Sequence, residues 1–209
     1  NAYCVHHLTD THDVILNMLE ECRKAGHEDR ALMFCSLSKV TFPGAGVAAM
    51  AASRRNIDYI LKNMFPMIIS FDKLNQVRHI RFLKDMDGLA AHMEKHRALL
   101  EPKFRAVLAI LDEGLSGCGS IARWTKPNGG YFLSLYTLGG CAKRTVQLCR
   151  EAGVVLTDAG AAYPYGVDPQ DSNIRIAPTF PPLDELETAS RLLCVCVRIA
   201  TLEKLLQRQ

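Results

Sequence analysis

Apolar positions along the chain recur with two different periods, and the change between them outlines the elements. Val14, Ile15, Met18 and Leu19 share one helical face. Asp10 or Thr11 stands ready to cap that helix, and Arg23 and Lys24 precede a terminating Gly26. Residues 31–35 form a short unbroken apolar run, the pattern of a strand covered on both faces. A second run, residues 47–51, follows the loop Phe42-Pro43-Gly44-Ala45-Gly46. Residues 72–115 read as strongly helical, with Pro102 the expected point of a break or kink. Residues 121–124 and 131–135 then read as strands joined by a Pro127-Asn128-Gly129-Gly130 turn. A helix near 142–152 ends at Gly153, short strands are expected at 154–157 and 174–177, and Pro181-Pro182-Leu183-Asp184 opens a last helix. Strands interleaved with helices imply an α/β fold.

Composition narrows the function classes. Hydrophobic residues make up 48% and charged residues 22%, as in an ordinary globular protein, and the net charge is +3. Basic residues are scattered rather than clustered, so no nucleic acid partner is expected. No apolar stretch approaches the roughly 18 residues of a membrane span. The opening residues lack the basic-then-apolar pattern of a signal peptide. The eight cysteines (4, 22, 35, 118, 141, 149, 194 and 196) form no CxxC pair and sit mostly among apolar neighbours. They read as small buried hydrophobes of a reducing, cytoplasmic compartment rather than a disulfide framework.

Candidate chemistry centres on Cys35-Ser36-Leu37-Ser38-Lys39, at the end of the first apolar run. A lysine on the rim of an apolar sheet is expected to be partly buried, which favours the neutral amine. A neutral amine can condense with an aldehyde to a Schiff base. The alternative is a solvent-facing lysine after a strand.

Ser36-x-Ser38-Lys39 before a Pro/Gly-rich loop resembles the cofactor-lysine motif of the fold type I enzymes that use pyridoxal phosphate (PLP). Three further segments fall in the order of that family. Asn1-Ala2-Tyr3 resembles the end of its Asp-x-x-Tyr motif, Pro127-Asn128-Gly129-Gly130-Tyr131-Phe132 its small-domain hairpin, and Asn173-Ile174-Arg175-Ile176 its carboxylate-binding segment. The resemblance covers essentially the whole chain and is nearest to the MocR-like group with bacterial aspartate aminotransferases. It implies the C-terminal half of a fold type I PLP-dependent transferase. Residues 1–80 would be the second half of the large cofactor domain, 81–115 linking helices, and 116–209 a small α/β domain.

By that resemblance Lys39 carries the cofactor and moves the proton at the substrate Cα. Tyr3 donates to the ring oxygen, Ser36 and Ser38 donate to the phosphate, and Arg175 binds the substrate α-carboxylate. The substrates would be an amino acid and a 2-oxo acid, aspartate with 2-oxoglutarate, and the enzyme a homodimer. Two departures stand out. The chain starts one residue after the expected aspartate, and Val47 occupies the position, eight after the lysine, where many relatives hold the phosphate with arginine. Backbone N–H groups of Gly44-Ala45-Gly46 could substitute.

Other residues drew attention. His92 and His96, four apart on a helix, have a metal-binding spacing, but without a third ligand a solvated face is the simpler reading and no metal is expected. His6 and His7 could line the site or simply pack beside a strand. Asp72, Lys73, Asn75 and Arg78 could reach a neighbouring subunit's phosphate or merely cap a helix. Competing functions are another PLP reaction, a lyase or decarboxylase, and the effector domain of a MocR-type transcription regulator.

Overall fold

The computed structural model describes residues 2–207, which form a mixed α/β chain. Its contacts separate two units: the residues before Leu8 with Thr11–His96, and Leu8–Asp10 with the chain from Arg97 onward.

In the first unit, α1 covers only Met18–Lys24, and the Asn17 side chain caps it by accepting from the Glu20 N–H. The expected cap at Asp10 or Thr11 is wrong, and residues 11–17 are not helical. Val14 is 95% exposed, so the apolar face proposed there packs on nothing and cannot sustain another turn. Strands β1 (Leu32–Ser36) and β2 (Ala48–Ala52) pair antiparallel, Leu32 opposite Ala52 and Ser36 opposite Ala48. The apolar run of β1 is not covered on both faces: Phe34 is 69% exposed, because β2 is its only strand partner among the described residues. Helix α2 (Arg54–Met64), capped by Ser53, was not singled out from the sequence.

Helix α3 (Lys73–Leu83) is capped by Asp72 and ends at Lys84, whose φ is +66°. Helix α4 (Met86–Leu115) then continues through Pro102 without interruption. The break therefore lies at Lys84 and Asp85, where the Asp85 carboxylate accepts from the Gly88 N–H at 2.8 Å. A proline inside a helix costs about 3 kcal/mol. Here Leu100, Phe104 and Val107 are buried around it, and burial at ~1.5–3 kcal/mol per side chain outweighs that cost.

In the second unit, β3 (Ala122–Trp124), β4 (Leu133–Thr137) and β5 (Asn173–Ile176) form an antiparallel sheet in that order. Alternation sorts its faces. Leu133, Leu135, Ile174 and Ile176 enter the core, and Ser134, Tyr136, Asn173 and Arg175 take the other side. Helices α5 (Ala142–Glu151) and α6 (Leu183–Leu206), with the second half of α4, complete a core that includes Val107, Leu111, Leu115, Cys149 and Val197. Gly114 lets α4 lie close against α6: a Cβ there would stand 2.8 Å from Cys194 Sγ. Residues 154–157 are not a strand, since the Val154 N–H closes the end of α5 on the Cys149 carbonyl (2.8 Å).

Candidate active site

The turn after β1 is built on the Leu37 carbonyl, which accepts from the N–H groups of Val40 (2.9 Å) and Thr41 (2.8 Å). Ser36 and Ser38, both half-buried, lie with their hydroxyls 3.0 Å apart, and the Ser38 N–H donates to Ser36 Oγ (3.2 Å). These are local turn hydrogen bonds.

Lys39 is exposed, which overturns the expected partial burial: β1 reaches no covering layer among the described residues, so the rim stays open. Among the described residues its Nζ makes no hydrogen bond or ion pair. Tyr3 is half-buried and meets the His6 ring edge-on, with centroids 5.6 Å apart. Asn1, the start of the Asn1-Ala2-Tyr3 motif, lies outside the described residues.

The loop of residues 42–46 packs directly on this turn. A Cβ on Gly46 would collide with Ser38 Oγ and stand 2.8 Å from Ser38 N. The Ala45 N–H donates to the Phe42 carbonyl (3.0 Å), so it is not available to a ligand, contrary to the expectation for all three loop residues. Among the described residues the N–H groups of Gly44 and Gly46 have no partner. Asn75 holds the loop from α3, donating to the carbonyls of Ala45 (2.6 Å) and Gly46 (3.4 Å). Asp72 acts as a helix cap, accepting from the Asn75 N–H at 2.9 Å.

Histidines that sequence reasoning left at the margin close in behind Lys39. His6 Nε2 donates to the Lys39 carbonyl (2.9 Å), and His92 Nε2 to the Val40 carbonyl (2.7 Å). His79 Nε2 faces the Thr41 hydroxyl (2.7 Å), while its Nδ1 donates to the Asn75 carbonyl (2.8 Å). His96 Nε2 is 3.3 Å from His92 Nε2, so this pair does not form the solvated face expected of it. Burial lowers the His6 pKa, against the Lys39 and Tyr3 carbonyls. Burial, then the charges of His92 and His6, lower that of His96, against the Val40 carbonyl. The 92/96 spacing and the placing of His6 beside the site were the sequence signals for this cluster, and His79 was not singled out.

Arg175 belongs to the second unit, on β5 opposite Ser134. Its guanidinium carbon lies 4.8 Å from the centroid of the Phe132 ring. Its Nε is buried without a hydrogen-bond partner, and so is Oδ1 of Asn173, two residues earlier on the same face. A half-buried guanidinium with an open donor is suited to a carboxylate. No helix is long and apolar enough to cross a membrane among the described residues.

The family profile for aspartate amino-transferase matches residues 1–209. An aspartate aminotransferase of Corynebacterium glutamicum is 42% identical over 203 residues, which cover 97% of this chain and 47% of that protein. The crystal structure of an aspartate transaminase from C. glutamicum superposes with a TM-score of 0.94 at 42% identity, over 98% of this chain and 48% of the other. An α-aminoadipate aminotransferase from Thermus thermophilus, complexed with N-(5'-phosphopyridoxyl)-L-leucine, shares the fold at a TM-score of 0.75 and 21% identity, over 96% of this chain and 49% of that one. The chain thus spans about half the length of the curated relatives it matches. With a profile match from end to end and a fold shared with solved aminotransferases, the chain belongs to the aspartate amino-transferase family.

Proposed function

We propose that this sequence forms the C-terminal half of a PLP-dependent aminotransferase that moves an amino group between an amino acid and a 2-oxo acid. Aspartate and 2-oxoglutarate are the substrates favoured by the similarity to the C. glutamicum enzyme, and the working form is a homodimer. The observation that carries the reading is Arg175, half-buried with an Nε that no group among the described residues satisfies. Leaving such a donor unpaired costs about 1–3 kcal/mol, which a bound carboxylate would offset.

The donors around Lys39 fit the cofactor. Among the described residues the primary amine of Lys39 has no partner and stands beside two hydroxyls, and the Gly46 N–H lies open where its loop touches Ser38. When bound, PLP supplies an aldehyde for the amine and a ring that withdraws electrons from the substrate Cα. Lys39 Nζ would hold it covalently and, once released, carry the proton at the substrate Cα. The Tyr3 hydroxyl would orient the ring oxygen, and Ser36, Ser38 and the Gly46 N–H would bind phosphate in place of the arginine that Val47 replaces. Arg175 would clamp the α-carboxylate in two-point fashion and so fix which bond at Cα is broken.

The test is Lys39→Ala in the full-length protein. It should abolish transamination and the visible absorbance of the lysine-linked cofactor while the circular dichroism spectrum is retained. Borohydride reduction of the wild type followed by digestion should recover the cofactor on the Lys39 peptide. Retained absorbance and turnover in Lys39→Ala would refute the reading.

A further inference from the structure

Three consecutive residues of the lysine turn are each tied to a different histidine, and the three histidines come from three separate segments. The Lys39 carbonyl is held by His6 from the segment ahead of α1, the Val40 carbonyl by His92 on α4, and the Thr41 hydroxyl by His79 on α3. Val40 is 3% exposed, so its carbonyl has no recourse to water if His92 is lost.

Because a carbonyl only accepts, His92 Nε2 must carry a proton. His96 Nε2 stands 3.3 Å away and also meets the Val40 carbonyl, as a second imidazole beside the same acceptor. Phe82 stands edge-on against the His92 ring (centroids 5.0 Å apart), which leaves the ring little freedom to rotate away. Met93, the next residue of α4, is buried, so the helix itself is anchored at this point.

We infer that His92 is a positioning residue for Lys39: its Nε2–H fixes the Val40 carbonyl and thereby the path of the backbone that carries the lysine amine. The inference rests on the proposed role of Lys39. It adds that the reach of this amine is set from behind the turn, by a donor that touches neither cofactor nor substrate. A displacement of about 1 Å in a reacting group can cost on the order of 100-fold in rate.

The experiment compares His92→Gln with His92→Asn in the full-length protein, with Lys39→Ala as control. A glutamine amide can place its N–H close to where His92 Nε2 stands, and an asparagine amide stops short of the Val40 carbonyl. His92→Gln should keep kcat within roughly threefold of wild type, whereas His92→Asn should lower kcat by about 100-fold with little change in the KM for the amino acid. The visible absorbance of the linked cofactor should follow the same split, normal for glutamine and shifted or weakened for asparagine. An inactive or unfolded His92→Gln overturns the inference, because the donor is retained there. Equal, wild-type behaviour of both variants overturns it too. If Lys39→Ala itself leaves the cofactor band and turnover intact, it is the proposed role of Lys39 that fails, whatever the His92 variants do.

Discussion

Replacing Gly114 with alanine should weaken the second unit even though alanine is the better helix former. The intrinsic gain is about 1 kcal/mol in favour of the mutant. Against it stands the crossing of α4 with α6, where an ideal Cβ would lie 2.8 Å from Cys194 Sγ and 2.9 Å from Cys194 Cβ. Carbon contacts rest at about 3.5–4.0 Å, so the helices would have to part by several tenths of an ångström. Cys194 is only 5% exposed, and its Cβ cannot rotate out of the way. Overpacking of this kind costs about 1–3 kcal/mol, leaving a net loss of up to ~2 kcal/mol. With a urea slope of about 2 kcal/mol/M, the unfolding midpoint of the purified chain should fall by up to roughly 1 M. The double variant Gly114→Ala/Cys194→Ala removes the sulfur contact but not the Cβ contact, so it should recover part of the loss. The coupling between the two sites should exceed about 0.5 kcal/mol. A raised midpoint in Gly114→Ala, or strict additivity of the pair, would show that α4 and α6 do not approach this closely.

Three further outcomes are expected. Arg175→Ala in the full-length protein should weaken transition-state binding of the amino acid by about 2–5 kcal/mol, read as kcat/KM, while the cofactor absorbance persists; unchanged kinetics would put the carboxylate clamp elsewhere. Burial would raise the Asp168 pKa, but the N–H groups of Ser172, Asn173 and Gln170 and the Ser172 hydroxyl outweigh it and hold the carboxyl below its ordinary value. Its stabilisation should be complete above the unfolded value near 3.8 and lost as pH falls through the lower folded value. Urea midpoints of wild type and Asp168→Asn should therefore converge in acid, and a gap independent of pH would contradict this. Burial pushes the Cys149 thiol up to about 12, helped by its neighbour Cys196, and the Cys194 thiol up to about 11. Iodoacetamide at about pH 8 should label the exposed Cys4 and Cys35 of the folded chain but spare Cys149 and Cys194, as mass spectrometry would show.

Local chemistry was readable wherever it was self-sufficient. The apolar runs gave β1, β2, β4 and β5 to within a residue or two, because each strand's pattern is set by its own side chains. Gly153 marked the end of α5, since the chain turns there through a φ of +91° that glycine favours. The Lys84 break was invisible, as neither Lys84 nor Asp85 is a helix breaker by type, and Pro102 was a false marker because packing outweighed its cost. Coverage of β1 differs for another reason: an apolar run reports the surroundings a strand suits, and in this chain, about half the length of its relatives, β2 is its only strand partner among the described residues. At the candidate site, motif spacing singled out Lys39 and Arg175, and the structure adds an unsatisfied Nε on Arg175. The imidazole ties to residues 39–41 could not be read from sequence, since each joins positions between 33 and 52 residues apart.

Leu8–Asp10 is a stitch. Leu8 is 3% exposed within the core of the second unit, its N–H donates to the Asn128 carbonyl at 2.8 Å, and Asp10 pairs with Arg97 at 2.8 Å. The contact between Thr9 and Asn128 joins positions 119 residues apart. Closing a loop of that length costs about 4 kcal/mol of chain entropy before any contact repays it. Folding therefore cannot proceed in the order of synthesis. Residues 8–10 must wait, unsettled, until the β3–β4 hairpin has been made. Refolding of the purified chain should accordingly be slow for its size, limited by a single long-range closure rather than by any helix.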